Sequence, residues 1–137
     1  MKYRALFLIV STFAFDALAG EVKGLAQRVP AKEKGRINPI ADSPDASRAG
    51  RKLFVRECSG CHGPNGEGIG KAPPLVSAPL SGLSDGTLFW VLRNGSLWRG
   101  MPSFAHLPEP QRWQIVTYLQ SLRAKTWSPV TTTLAVP

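Results

Sequence analysis

Five residues, Cys58-Ser59-Gly60-Cys61-His62, constrain this chain more than any other stretch, because they place two thiols and an imidazole within little more than one helical turn. C-x-x-C followed at once by histidine is the spacing at which two sulfurs each form a thioether to a haem vinyl group. The adjacent imidazole then comes under the iron as its proximal ligand. Two other chemistries use paired cysteines. A dithiol redox centre belongs beside a βαβ pattern, and no alternating β-branched strands flank this pair. A structural zinc site takes four N or S ligands; only Cys58, Cys61, His62 and His106 are on offer, and the two histidines stand 44 positions apart. Haem c is therefore the expected cofactor, with Cys58 and Cys61 as its attachment points and His62 as an iron ligand.

The start of the chain has the composition of an export signal. Lys2 and Arg4 give the basic beginning, Ala5 to Phe15 the apolar centre, and Ala17-Leu18-Ala19 the small-residue cleavage site, so residues 1–19 are expected to be removed. The alternative is a retained membrane anchor, but the apolar run falls short of the ~20 residues a span requires and Asp16 interrupts it. No other stretch is long and apolar enough to cross a bilayer, so a soluble protein with no transmembrane span after cleavage is expected. The 137 residues less these 19 leave 118, which suits one domain. A core of that size is small, and a covalently held, largely apolar macrocycle would act as its centre. The formal charge of +8 becomes +7 once Lys2, Arg4 and Asp16 are removed. A basic surface suits acidic partners. Export and the lack of a binding motif exclude nucleic acid, leaving a redox partner with an acidic docking face as the expected one. Such charge speeds encounter more than it tightens binding.

Taken in order, residues 20–42 hold Lys23, Arg28, Lys32, Lys34 and Arg36 against Glu21 and Glu33, with two prolines and little apolar periodicity. A basic flexible leader is expected, with a tethering arm as the alternative. Ser43-Pro44-Asp45 reads as a helix start, and Ala46, Ala49, Leu53 and Phe54 form an apolar face as far as Glu57. Small residues at Ala46, Ala49 and Gly50 would let a second helix come close. From Gly63 to Ser81 the composition turns to Gly and Pro; a phosphate-cradling loop would need the lysine-serine ending that is missing here. Ser84-Asp85-Gly86-Thr87 opens the next helix, with Leu88, Val91 and Leu92 on one face, and Asn94-Gly95 suits a left-handed C-terminal cap. Met101 is the only methionine besides the initiator, hence the only thioether available to the iron. His106, five residues on, is the competing ligand. The last helix is predicted from about Glu109 to Arg123, and residues 125–137 as an extended or disordered tail.

From about Ser43 to Arg123 these elements resemble the class I cytochromes c, small monohaem proteins that carry single electrons. The resemblance implies an all-α cytochrome c fold of about four helices wrapped around one haem, with the first and last helices crossing at small residues. Pro73-Pro74-Leu75 matches the family's Pro-x-Leu element, whose proline carbonyl accepts the outward N–H of the haem histidine while the leucine packs on the haem face. Trp98-Arg99-Gly100-Met101-Pro102 matches its distal segment, which implies Met101 as sixth ligand and Trp98 and Arg99 as candidates for hydrogen bonds to haem propionates. The family's haem is attached outside the cytoplasm in bacteria, so a periplasmic, monomeric electron carrier is implied, shuttling between a dehydrogenase or respiratory complex and an oxidase or other acceptor. It would not be an enzyme. Two alternatives remain open: a haem enzyme or gas sensor with a labile Met101, and a fixed electron-relay subunit of a dehydrogenase or oxidase complex.

Overall fold

The computed structural model describes residues 22–76, 80 and 82–126 of the chain. Its helices in chain order are α1 (residues 22–28), α2 (Ala31–Lys34), α3 (Pro44–Glu57), α4 (Ser59–His62), α5 (Asp85–Asn94) and α6 (Glu109–Thr126), with a 3-10 turn at Leu97–Arg99. The fold is all-α. Among the described residues there is no strand, only an isolated antiparallel bridge between Ser96 and Met101.

Ser43 begins α3 as its sequence predicts. Its hydroxyl accepts from the Ala46 amide at 3.1 Å, and Pro44, which has no N–H to satisfy, takes the first helical position. The inner face buries Ala46, Gly50, Leu53 and Phe54 against α6, while Arg48, Arg51, Lys52 and Val55 face solvent. Gly50 marks the closest approach: a Cβ there would lie 2.5 Å from the Gln114 carbonyl carbon and 3.0 Å from the Tyr118 Cβ. The crossing is pinned on either side, by Ser47 Oγ bonded to Ser121 Oγ at 3.0 Å and by the Phe54 and Tyr118 rings 5.3 Å apart.

Ser84 caps α5 by accepting from the Thr87 amide at 3.2 Å. Leu88, Phe89 and Leu92 then join Phe104, Leu107 and Trp113 in the core, with the Phe89 and Trp113 rings stacked at 4.0 Å. Gly95 departs from expectation. Instead of a left-handed cap it has φ 71° and ψ −169°, an extended mirror-image conformation open to glycine. The reason is packing: a Cβ would stand 2.6 Å from the Pro102 carbonyl carbon, so the chain passes tightly beside the segment that follows Met101.

The basic stretch expected to be a mobile leader is instead a strap laid over α5 and α6. Val22 and Val29 are buried, and Gly86 of α5 gives up its side chain to the Glu33 carbonyl of α2. Ser84 Oγ donates to the Lys34 carbonyl at 2.9 Å. Arg36 lies over both the Phe89 and Trp113 rings, at 4.4 and 5.2 Å, and its Nη2 pairs with Glu109 at 2.5 Å. Buried Asn38 donates to Thr117 Oγ1 at 2.9 Å. The Arg36 guanidinium of this strap is used flat, as a stacking and pairing group, which composition alone reads as solvation. At the other end, α6 runs to Thr126, so the expected tail begins inside a helix. The predicted export signal and residues 127–137 lie outside the described residues.

Candidate haem site

The end of α3 delivers the attachment motif directly. The Cys58 amide continues the helix by donating to the Phe54 carbonyl at 2.8 Å, and Cys58 O then accepts from Cys61 and His62 at 3.1 and 2.9 Å, winding α4 as a single turn. This turn leaves Cys58 buried, Cys61 exposed and His62 half-buried. Burial pushes the Cys58 thiol up to about 12, with the Glu57 charge and Cys61 adding to it. A thioether sulfur carries no charge, so burial costs it little. Among the described residues no group of three or more His, Cys, Asp and Glu side chains converges as a metal site.

The glycine-rich loop then folds back beside α4. Gly68 and Ile69 donate to the His62 and Cys61 carbonyls at 2.7 and 3.1 Å, and Leu75 donates to Gly66 O at 2.7 Å. Gly68 has φ 84°, and a Cβ on it would meet Ala72 O at 2.7 Å and Pro74 N at 2.9 Å, so only glycine permits this fit. The fit sets Pro73 O 3.0 Å from His62 Nδ1. A carbonyl can only accept, so the proton is on Nδ1 and the lone pair is on Nε2. An imidazole held in this tautomer, with its other nitrogen bonded to a backbone carbonyl, is how proteins prepare a histidine for a metal.

Met101 packs on the core cluster from a loop 39 residues beyond His62. Ser96 and Met101 exchange backbone bonds of 2.9 and 3.2 Å, closing the 3-10 turn into a small loop with Met101 at its base. Met101 and Leu75 are half-buried and pack against the core cluster that includes Cys58, Leu53 and Phe54. The structure therefore brings Cys58, Leu75 and Met101 to one apolar cluster, with His62 held beside it. Two thioether-forming sulfurs, an imidazole with a free Nε2 and a neutral thioether on an apolar surface fit a haem c. Trp98 is 59% exposed, and its ring meets the guanidinium carbons of Arg99 and Arg28 at 4.1 and 4.5 Å. His106 is exposed and tilted against Phe104.

Sequence reasoning missed three residues here. Arg28 reaches Trp98 from the strap, and nothing in a basic leader signals that. Gly68 was one glycine among several. Arg123, buried on α6 with its pKa lowered by burial, donates from Nε to the Leu75 carbonyl at 3.4 Å and ties the loop to the last helix.

A helical domain whose first long helix runs into C-x-x-C-H, with a backbone carbonyl on the histidine, is a c-type cytochrome domain. The family described as cytochrome c oxidase, cbb3-type, subunit III matches residues 45–119, more than half of the chain, and the chain belongs to that family. Membership implies covalently bound haem c and haem-based electron transfer. No curated protein matches the chain.

Proposed function

We propose that this chain is an exported one-electron carrier whose single haem c is attached through Cys58 and Cys61 and ligated by His62 and Met101. The observation that carries the reading is the 3.0 Å bond between His62 Nδ1 and the Pro73 carbonyl, which leaves Nε2 as the only ring nitrogen able to bind a metal. When bound, the haem supplies an Fe(III)/Fe(II) couple. The chain's own part would be to hold the group through Cys58, Cys61, His62 and Met101 and to keep water from the apolar cluster around Leu53, Phe54 and Leu75. On this reading it carries electrons and catalyses no bond chemistry. Methionine ligation and burial both disfavour the ferric charge, so a relatively high potential is expected.

Export rests on the composition of residues 1–19 and on the compartment in which haem c is attached. No helix among the described residues is long and apolar enough to cross a membrane. The partner is a redox protein with an acidic docking face, either a dehydrogenase or respiratory complex as donor or an oxidase as acceptor. The family's description favours a second reading, in which the chain is a fixed relay subunit of an oxidase. Co-purification with a larger complex from membranes would establish that reading over the free carrier.

The first test is the optical spectrum of the purified protein, ferric and then ferrous with and without carbon monoxide. A ferric sulfur-to-iron band and no response to carbon monoxide are expected. A carbon monoxide adduct at neutral pH would mean an available distal position, and the carrier reading would give way to a haem enzyme or gas sensor.

A further inference from the structure

The strap is docked at several independent points, and its first helix is anchored at both ends by the buried Val22 and Val29. Val29 is 2% exposed and anchors the chain immediately after α1. The residue just before it, Arg28, lies outside the core and reaches the Trp98 ring at 4.5 Å. Trp98 stands three residues before Met101, inside the loop that the Ser96–Met101 bridge closes. Arg28 thus sets a cation over an exposed indole of this loop. A guanidinium over tryptophan is the strongest pairing of its kind, since the indole face carries the most negative potential of the aromatic side chains.

We propose that Arg28 is a positioning residue for the distal ligand: by stacking on Trp98 it ties the N-terminal strap to the loop that carries Met101 and holds that loop closed. The proposal rests on the reading of Met101 as the sixth ligand. The tip of this loop, Leu97 and Trp98, is 74% and 59% exposed, while its base is held by the paired backbone bonds of Ser96 and Met101. The strap supplies the other anchor, because α2 sits against Gly86 and Arg36 is clamped over Phe89 and Trp113. Movement of the loop away from the core thus has to break the Arg28 contact or lift a strap held at its far end.

The test is imidazole binding to the ferric holoprotein, which requires the methionine segment to open. Met101→Ala should bind imidazole far more tightly than the wild type; equal affinity would overturn the ligand assignment itself. With that in hand, Arg28→Ala should bind imidazole about two- to fivefold more tightly than wild type, the range set by an exposed cation–π contact. Arg28→Lys should restore part of the difference, because an ammonium over the indole face keeps the cation–π attraction but not the planar stacking of a guanidinium. Arg48→Ala, which removes one surface charge from α3, should bind as wild type does. If Arg28→Ala matches wild type or Arg48→Ala, or if Arg28→Lys behaves as Arg28→Ala, the clasp is overturned while the ligand assignment stands.

Discussion

His62 and Pro73 meet because Gly68 can hold φ 84° where any Cβ would run into the Pro73–Pro74 backbone. Gly68→Ala adds a methyl group where no flexible side chain can give way. The left-handed backbone angle and the clash together should cost about 1–3 kcal/mol of stability. The more telling effect is electronic. With His62 ligating the iron as proposed, moving Pro73 O off Nδ1 would remove the bond that raises the imidazole's basicity, and the reduction potential should rise. Protein-film voltammetry reads that shift; an unchanged potential in a destabilised variant would show the bond to be structural only. Met101→Ala should do the opposite, lowering the potential and admitting carbon monoxide to the ferrous protein. Both residues of this pair were legible in the sequence, His62 by its place after Cys61 and Pro73 by resemblance. Gly68 was not, because the sequence shows five glycines between residues 60 and 70 and only the fold shows which one the carbonyl needs.

At the scale of elements, the helices with strong local signals came out as their sequences predict. Ser43-Pro44 and Ser84-Asp85 cap α3 and α5, and Gly50 sets the crossing of α3 on α6. Gly50→Ala would drive a methyl into the Gln114 backbone, so the two helices must separate, and a loss of about 1–3 kcal/mol is expected in denaturant titration. The strap could not be read this way. α1 and α2 are short, and the strap docks with only a few buried side chains, so no periodicity announces it. Its tertiary contacts can be ranked by magnitude. The Arg36–Glu109 pair has side chains 30% and 51% exposed and belongs with surface pairs of about 0–1 kcal/mol. The same guanidinium over Phe89 and Trp113 is better shielded, and a desolvated cation–π contact reaches about 2 kcal/mol. Arg36→Met should therefore destabilise more than Glu109→Gln. The pair has a pH signature as well. Burial pushes the Glu109 carboxyl upward, but hydrogen bonds from Arg36 and Trp113 and the charges of Arg36 and Arg112 outweigh it, so its pKa lies below the ordinary glutamate value. A carboxyl depressed in the folded state contributes stability above its unfolded pKa and loses it as the pH falls through the folded one. The stability gap between wild type and Glu109→Gln should close on acidification across that window, and a gap that persists would deny the pair any role.

For the whole molecule the largest single fact is charge. Seventeen basic residues face nine acidic ones, and the chain without residues 1–19 keeps a formal +7 after Lys2, Arg4 and Asp16 are subtracted. The distribution sharpens this. No acidic residue occurs between Asp85 and Glu109, the stretch that carries Arg93, Arg99 and Met101, and the solvent face of α3 shows Arg48, Arg51, Lys52 and Arg56 just before the attachment motif. Arg48 is offset by Asp45 and Arg56 by Glu57, whereas Arg51 and Lys52 have no acidic partner among the described residues. Any electron exchanged near Cys61 or Met101 therefore passes through positive potential, whatever the natural partner is. Small inorganic reagents test this without knowing that partner. Reduced protein should be oxidised by an anionic iron complex at a rate that falls as salt is raised from 0.01 to 0.2 M, over which the Debye length shrinks from about 30 Å to under 10 Å. A cationic cobalt complex should show a rising rate over the same range. Stopped-flow traces with both reagents give opposite slopes if the sites of exchange lie on the basic surface, and parallel, flat responses if electrons leave through a neutral patch.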